Sequence, residues 1–520
     1  MMEYLFTKTP LAFFVQNLWR DEAFTFLLSK QSIGEIVLTT AADFNPPLFY
    51  IFMHYWMLIF GSSEIAMRTV SLLFYVLTIF IMFEIMVLVF KISFKRALLY
   101  FILIIANPVL LTYAFEARMY MMAAFFVTLS YFALWTGRKK LFIFAIVMAL
   151  YTHYFTLLVF AAQVISEIVR ILMSHHWQAS FKQLDLTISG FRKKPSQYFQ
   201  LIRSLIVSDL GSKLSIIFIC LIPWILFLLA YHDFSSTVFW IIKPLGQDIW
   251  FLPLVLFTGY QRVFGQYYHD QAGYASFHAY LNILIWGVLL LPWIVLMGKI
   301  VRSIIMKKTR LMLKTAKKYI SFNYHLPLVL WAVFPPVVLY VISQYSTPVY
   351  HPRYFMFSVV GGLLYMIQII ETVFPPQKKV IKLHLHFSIP QIISPLGSFI
   401  GKNLLMILSV VILLLFTNQY NNLNLKYNAK HTISPMFQEI NRSMRAGDRV
   451  YLTRELDYFL AKYYLKSDAI YIFGIPYEDI HAYVGKVLIP PSSIISSGIP
   501  TYPARAFFVY YDRFVVRSEM

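Results

Sequence analysis

The stretch Pro46–Phe60, PPLFYIFMHYWMLIF, decides the architecture. It is mostly apolar, yet its length of about 15 residues gives a helix of only about 22 Å. A helix that crosses a bilayer core needs about 20 apolar residues. If this run crossed, every basic connector downstream of it would change sides. Those connectors are Lys91, Lys95 and Arg96; Arg138, Lys139 and Lys140; the cations from Arg170 to Lys213; those from Lys299 to Lys318; and Lys378, Lys379, Lys382 and Lys402. Lys and Arg collect in short loops on the cytoplasmic side of membrane proteins. Holding all of them on that side requires Pro46–Phe60 to lie along the interface. The run 249–260 is expected to do the same.

The rest of the chain supplies the spans. It is 59% hydrophobic and 13% charged, with a mean hydropathy of +0.65. Apolar runs of roughly 17–25 residues recur, the length that crosses a bilayer core as a helix. The chain therefore reads as an α-helical polytopic membrane protein. Helices are expected at 66–90, 97–115, 119–136, 141–154, 156–172, 214–231, 280–298, 324–342, 354–372 and 403–418. Alternating them places 1–65, the turns near 116 and 153, 232–279, 344–353 and everything after 418 opposite the basic connectors. Segment 232–279 agrees, with only Lys243 and Arg262 against Asp233, Asp248 and Asp270. The net charge of +21 does not point to nucleic acid, because the cations sit where anionic headgroups would meet them. Cys220, the single cysteine, lies in an apolar run and offers no disulfide framework or metal cluster.

Two regions depart from this pattern. After 418 the chain changes to strand-like pieces at 449–452, 469–473 and 506–511, with an amphipathic run at 455–465. Two domains are expected: a transmembrane domain over 1–418, with a first outer loop at 19–65, and a small extracytoplasmic α/β domain over 419–520. No short internal repeat of solenoid length is present. Before Trp19 only about 18 residues occur, interrupted by Lys8, Thr9 and Pro10, which is short for a first span. They lack the small-residue cleavage site of a signal peptide.

Transporters usually carry ionisable residues near the midplane of their spans. Here Glu84 is the clearest mid-span acid, and it sits close to Lys91. The other ionisable groups gather in the outer turns: Asp21-Glu22, Asp43, His54, Glu64, Arg68, Glu116, Arg118, His153, His351 and Arg353. That points to chemistry at the outer membrane face. A carboxylate held against an acceptor hydroxyl can act as a base despite its low intrinsic pKa. Arg118 and Arg353, each followed closely by a tyrosine (Tyr120, Tyr354), suit a phosphate, because guanidinium presents paired donors. Each part also has a plainer reading. Asp21 and Glu22 suit a solvated helix start, Pro46-Pro47 a first helical turn, the arginines headgroup contacts, and His153 a structural hydrogen bond. A transporter or flippase of lipid-linked or polysaccharide substrates remains the alternative from another class. A third is a non-catalytic relative that binds a lipid-linked glycan.

The pieces in their order carry a resemblance. WRDEA (19–23), DFNPPLFY (43–50), FGSSEIAMR (60–68), NPVLLTYAFEARMY (107–120), YTHYF (151–155) and YHPRYFMF (350–357) are similar to the motifs of the GT-C membrane glycosyltransferases. The likeness is to the protein O-mannosyltransferase type of glycosyltransferase family 39 and the related lipid A aminoarabinose transferases. It covers most of 19–372. It implies a GT-C fold of about 10–12 transmembrane helices, plus juxtamembrane helices and a full first span before the Asp-Glu pair. It implies an inverting transfer of a sugar from a polyprenyl-phosphate donor to a protein, lipid or glycan acceptor. That reaction would run on the extracytoplasmic face of a multi-pass protein, in the plasma membrane. Asp21 is then the catalytic base, with Glu22 orienting it. Asp43, Asn45, Arg68, Glu116, Arg118, Tyr120, His153, Arg353 and Tyr354 are carried over as donor or phosphate contacts. Asn45 stands where relatives often have a histidine or lysine, and its amide brings no charge. No cofactor is required, although Asp21, Glu22 and Asp43 could collect a divalent cation. The expected partners are the donor, the acceptor and membrane lipids.

Overall fold

The computed structural model describes residues 2–172, 209–233, 240–259, 262–263, 266–267, 278–290, 294, 298, 324–375, 394–427, 430 and 433–519. Most cations of the connectors 170–213, 299–318 and 378–382 fall outside these residues, as do expected helix positions 291–293 and 295–297. Within the described residues the expected apolar runs are helical, apart from a break in the one expected at 97–115. The helices include Glu64–Glu84, Tyr120–Trp135, Lys139–Thr152, Thr156–Leu172, Asp209–Tyr231, His325–Tyr345, Phe357–Val373 and Ser394–Tyr427. Among described residues, 4 helices are long and apolar enough to cross a membrane, or up to 5 if a bent pair counts as one span.

That bent pair corrects the single helix expected at 97–115. The chain instead forms Phe94–Ile105 and Pro108–Ala114, bent by 63° at the break. Pro108 has no N–H to continue the ladder, so a new helix starts there. Asn107 caps it: its Oδ1 accepts from the N–H groups of Val109 (3.1 Å) and Leu110 (3.0 Å). The bend delivers Glu116-Ala117-Arg118 to one end of the bundle, next to helix Arg20–Ser29.

The opening stretch forms helix Leu48–Phe60, of 13 residues. Phe49, Tyr50 and Met53 are buried, while Leu58, Ile59 and Phe60 are exposed. Its length of about 20 Å leaves it short of a bilayer core. The exposed end is apolar. Gly61 ends the helix at φ +78, a conformation natural to glycine. In the expected interfacial run 249–260 the chain makes two short helices, Gly246–Trp250 and Leu252–Thr258.

The bundle core is aromatic and tight. Tyr131 stacks on Trp331 with centroids 4.1 Å apart and planes 7° apart. A Cβ on Gly361 would lie 2.6 Å from the Trp331 ring, so only glycine lets helix Phe357–Val373 approach so closely.

The tail folds as the expected α/β unit. Its five-stranded sheet has the order Ile494–Ile495, Ile470–Phe473, Arg449–Leu452, Ala506–Tyr510, Arg513–Arg517. The first four are parallel and the last is antiparallel. The run 455–465 becomes a 3-10 turn, Glu455–Asp457, leading into helix Tyr458–Tyr464. This helix docks on Arg20–Ser29. Phe24 meets Phe459 edge-on at 5.4 Å, and Phe26 meets Tyr463 at 5.0 Å. Tyr464 Oη accepts from the Leu18 N–H (2.8 Å), and Tyr463 donates to the Ser62 carbonyl (3.0 Å).

Candidate active site

Asp21 and Glu22 are neighbours in sequence and face different environments. They occupy the first turn of helix Arg20–Ser29, where the N-terminal dipole favours carboxylates. A helix turns about 100° per residue, so adjacent side chains diverge. Asp21 lines a cavity of about 480 Å³. Glu22 points away into the protein and is fully buried.

Around Asp21 the cations are close. Arg353 Nη1 lies 3.0 Å from Oδ2 and Arg20 3.1 Å from Oδ1. Arg118 Nη1 donates to the Asp21 carbonyl (3.2 Å) and to Thr25 and Tyr50, each at 3.3 Å. Burial alone would raise the Asp21 pKa. The charges of Arg20, Arg118 and Arg353 outweigh that and hold it at about 2. The Arg353 guanidinium also lies 5.0 Å from the ring centroids of both Trp19 and Trp240. The buried Nε atoms of Arg118 and Arg353 have no hydrogen-bond partner. An unpaired buried donor is costly, and an entering anion would satisfy it.

Asp43 and Asn45 also line the cavity. Asn45 donates to Asp43 Oδ2 at 3.5 Å. Here burial dominates: it pushes the Asp43 pKa up to about 6 against the pull of the Phe44 N–H and Arg118. His153 lines the opposite side, ringed by Tyr120, Phe155, Tyr354 and Phe357. Burial, helped by Arg118, lowers its pKa to about 3, so the imidazole is neutral. Its Nδ1 accepts from the Phe155 N–H (3.3 Å). Tyr120 and Tyr354 complete the lining on that side.

Three residues carried over from the sequence do not line this cavity. Glu22 accepts from Arg68 through both oxygens (2.8 and 2.7 Å), from the Ala117 N–H (2.9 Å), and from Lys430 (2.8 Å). Arg68 is fully buried and gives its remaining donors to the carbonyls of Phe14 (3.0 Å), Gln16 and Asn17 (2.9 Å). That pair ties the N-terminal segment, the Asp21 helix and helix Glu64–Glu84 together. Glu116 is buried beside it, with its pKa raised by burial and Oε1 unpartnered. Ser71 Oγ donates to the Glu116 and Arg118 carbonyls (2.5 and 3.1 Å), fixing that turn.

Asp21, Glu22 and Asp43 do not converge on one point. Among the described residues no group of three or more His, Cys, Asp or Glu is placed to hold a metal ion.

Sequence reasoning missed Arg20, Trp240, Lys430 and the Tyr483–Gly485 segment. Arg20 was in view within the WRDEA motif without a role. Trp240 carried only its place in an outer segment. Lys430 and Tyr483–Gly485 come from the tail, where nothing in the residues marks chemistry.

No protein-family model matches the sequence, and no curated protein matches it. Among solved structures, ArnT from Cupriavidus metallidurans in the apo state is similar at a TM-score of 0.52 and 15% identity, covering 96% of this chain and 90% of that one. An Archaeoglobus fulgidus oligosaccharyltransferase, tethered to an acceptor peptide, aligns at a TM-score of 0.34 and 10% identity, covering 81% and 55%. A near-complete overlay on the first, an apolar helical bundle and a small appended sheet domain agree with the motif order. The chain has the GT-C fold and shares it with ArnT over nearly its whole length.

Proposed function

We propose that this protein is an inverting glycosyltransferase that moves a sugar from a polyprenyl phosphate to an acceptor hydroxyl at the membrane surface. The observation that carries the reading is a carboxylate in a cavity beside two arginines with unsatisfied buried donors. In the reaction the acceptor oxygen attacks the anomeric carbon as its O–H proton passes to Asp21. The bond from that carbon to the phosphate oxygen breaks on the opposite face, and the electron pair leaves with the polyprenyl phosphate. Arg353 and Arg118 hold the phosphate and balance its growing charge. The phenols of Tyr120 and Tyr354 and the amide of Asn45 orient the donor.

Asp21 is a poor base while two guanidiniums claim its oxygens. A donor phosphate competing for Arg353 removes one of them and raises its proton affinity. Neutral His153 packs the donor side. Glu22, Arg68 and Glu116 act as scaffold, since their atoms face the protein interior. Asp43 is a second carboxylate, placed to contact sugar hydroxyls. The phosphate already leaves as an anion, so this scheme requires no cofactor. On the charge asymmetry of the sequence we place the site on the extracytoplasmic face of the plasma membrane.

The test is mass spectrometry of products after incubating the purified protein with a panel of polyprenyl-phosphate hexoses and pentoses. Transfer or release of one sugar is expected. Asp21→Ala should abolish it without loss of expression or insertion. Substantial residual transfer by that variant refutes the assignment.

A further inference from the structure

The cavity has two walls of different character. One is cationic and aromatic, built from the transmembrane domain: Arg118, Tyr120, Arg353, Tyr354 and Trp240. The other joins Phe24 to Tyr483, Val484 and Gly485 of the C-terminal domain. The one cation on its side is Arg20, four residues before Phe24 on the same helix, and it is paired with Asp21 at 3.1 Å. Asp21 stands between them.

We infer that the Phe24–Tyr483–Gly485 wall is the acceptor subsite, and that it takes an uncharged hydroxyl-bearing group with an apolar face, as a pyranose ring has. This rests on the sugar-transfer reading of the same cavity. The donor phosphate is assigned to Arg118 and Arg353, because their buried Nε donors are the ones left without a partner. In an inverting displacement the acceptor approaches from the side opposite the leaving group. That leaves the Phe24–Tyr483–Gly485 wall for the acceptor.

The geometry of the wall is specific. Phe24 follows Asp21 by three residues and so shares its helix face. Gly485 sits at φ +92, and a Cβ there would lie 2.8 Å from the Phe24 ring and 2.9 Å from Phe459. Only glycine brings the loop this close to the helix that carries Asp21. Tyr483 is braced by His481, with stacked centroids 5.2 Å apart and planes 19° apart. Docking through Tyr463, Tyr464 and Phe459 holds the wall in register with Asp21. A phosphate-bearing acceptor group would meet only Arg20 there, which is already paired with Asp21, whereas an aromatic face with a polar rim suits a ring bearing both C–H and hydroxyl groups.

The experiment uses the full chain in native membrane vesicles with the sugar donor that the panel identifies. Two products are followed: free sugar released to water and sugar joined to endogenous acceptor. For Tyr483→Ala the ratio of transfer to hydrolysis should fall by roughly threefold to tenfold, the size of one lost aromatic contact. Tyr483→Phe should restore most of it. Gly485→Ala, which displaces Phe24, should lower the same ratio. A ratio unchanged in both alanine variants, or both products falling in step, overturns the subsite. A wild-type protein that yields neither product refutes the sugar-transfer reading instead.

Discussion

Replacing Glu22 by glutamine removes one negative charge from a fully buried cluster. In the native protein its carboxylate faces Arg68 at 2.7 Å and Lys430 at 2.8 Å, and the Arg68 and Glu22 side chains are both 0% exposed. The variant keeps the shape but leaves two cations without their anion. Breaking a buried pair in this way costs about 3–5 kcal/mol. Arg68→Met should cost a similar amount. Glu22→Gln with Arg68→Met should cost less than the sum, because the charges leave together. The carbonyls of Phe14, Gln16 and Asn17 would still lose their donor, so recovery is partial. Lys430→Met should cost less than either single change, since Glu22 keeps Arg68. The assay is thermal unfolding of the purified protein in lipid nanodiscs, with sugar transfer measured well below each midpoint. Asp21→Asn provides the contrast. Its carboxyl is held at about 2 against an ordinary 3.8, so its charged form, after the opposing cost of burial, contributes a net of about 2 kcal/mol. That contribution is present above the ordinary pKa and is lost as pH falls through the folded one. Asp21→Asn should therefore lose transfer with the smaller stability loss, and Glu22→Gln the reverse. A Glu22→Gln protein that unfolds at the wild-type temperature would refute the scaffold assignment.

Asp43 titrates the opposite way: burial raises its pKa from 3.8 to about 6, so its charged form destabilises the fold as pH rises through that interval. Asp43→Asn should raise the unfolding midpoint at pH 7, by up to about 3 kcal/mol of stability, and leave it unchanged near pH 4; no gain at pH 7 would contradict the buried charge. Gly361→Ala should lower thermal stability by about 1–3 kcal/mol, because its Cβ would overlap the Trp331 ring at 2.6 Å. Denaturation of the variant beside wild type reads this directly. Glu84→Gln should leave sugar transfer intact, whereas a transporter driven by a mid-span acid would lose more from this change than from Asp21→Asn.

What the sequence determined by itself was everything that depends on local pattern. Apolar run length marked the helices, and it already set the run at 46–60 below the length of a bilayer span. Period-two alternation marked the strands of the tail. Motif order brought forward Asp21, Asp43, Asn45, Arg118, Tyr120, His153, Arg353 and Tyr354, and all of these line one cavity. Tertiary structure decided which face each helix turns toward which partner. Asp21 and Glu22 are adjacent carboxylates that only the family resemblance tells apart in sequence. One residue of helical rotation sends the first to the cavity and the second to Arg68. Arg68 and Arg353 are both carried over by the resemblance as donor or phosphate contacts. Only the fold shows the first surrounded by backbone carbonyls and the second beside Trp19 and Trp240. Lys430 and Gly485 were invisible for the same reason. Their roles come from contacts across more than 400 residues of chain, to Glu22 and Phe24. No local pattern encodes a partner at that distance, because the partner is chosen by packing.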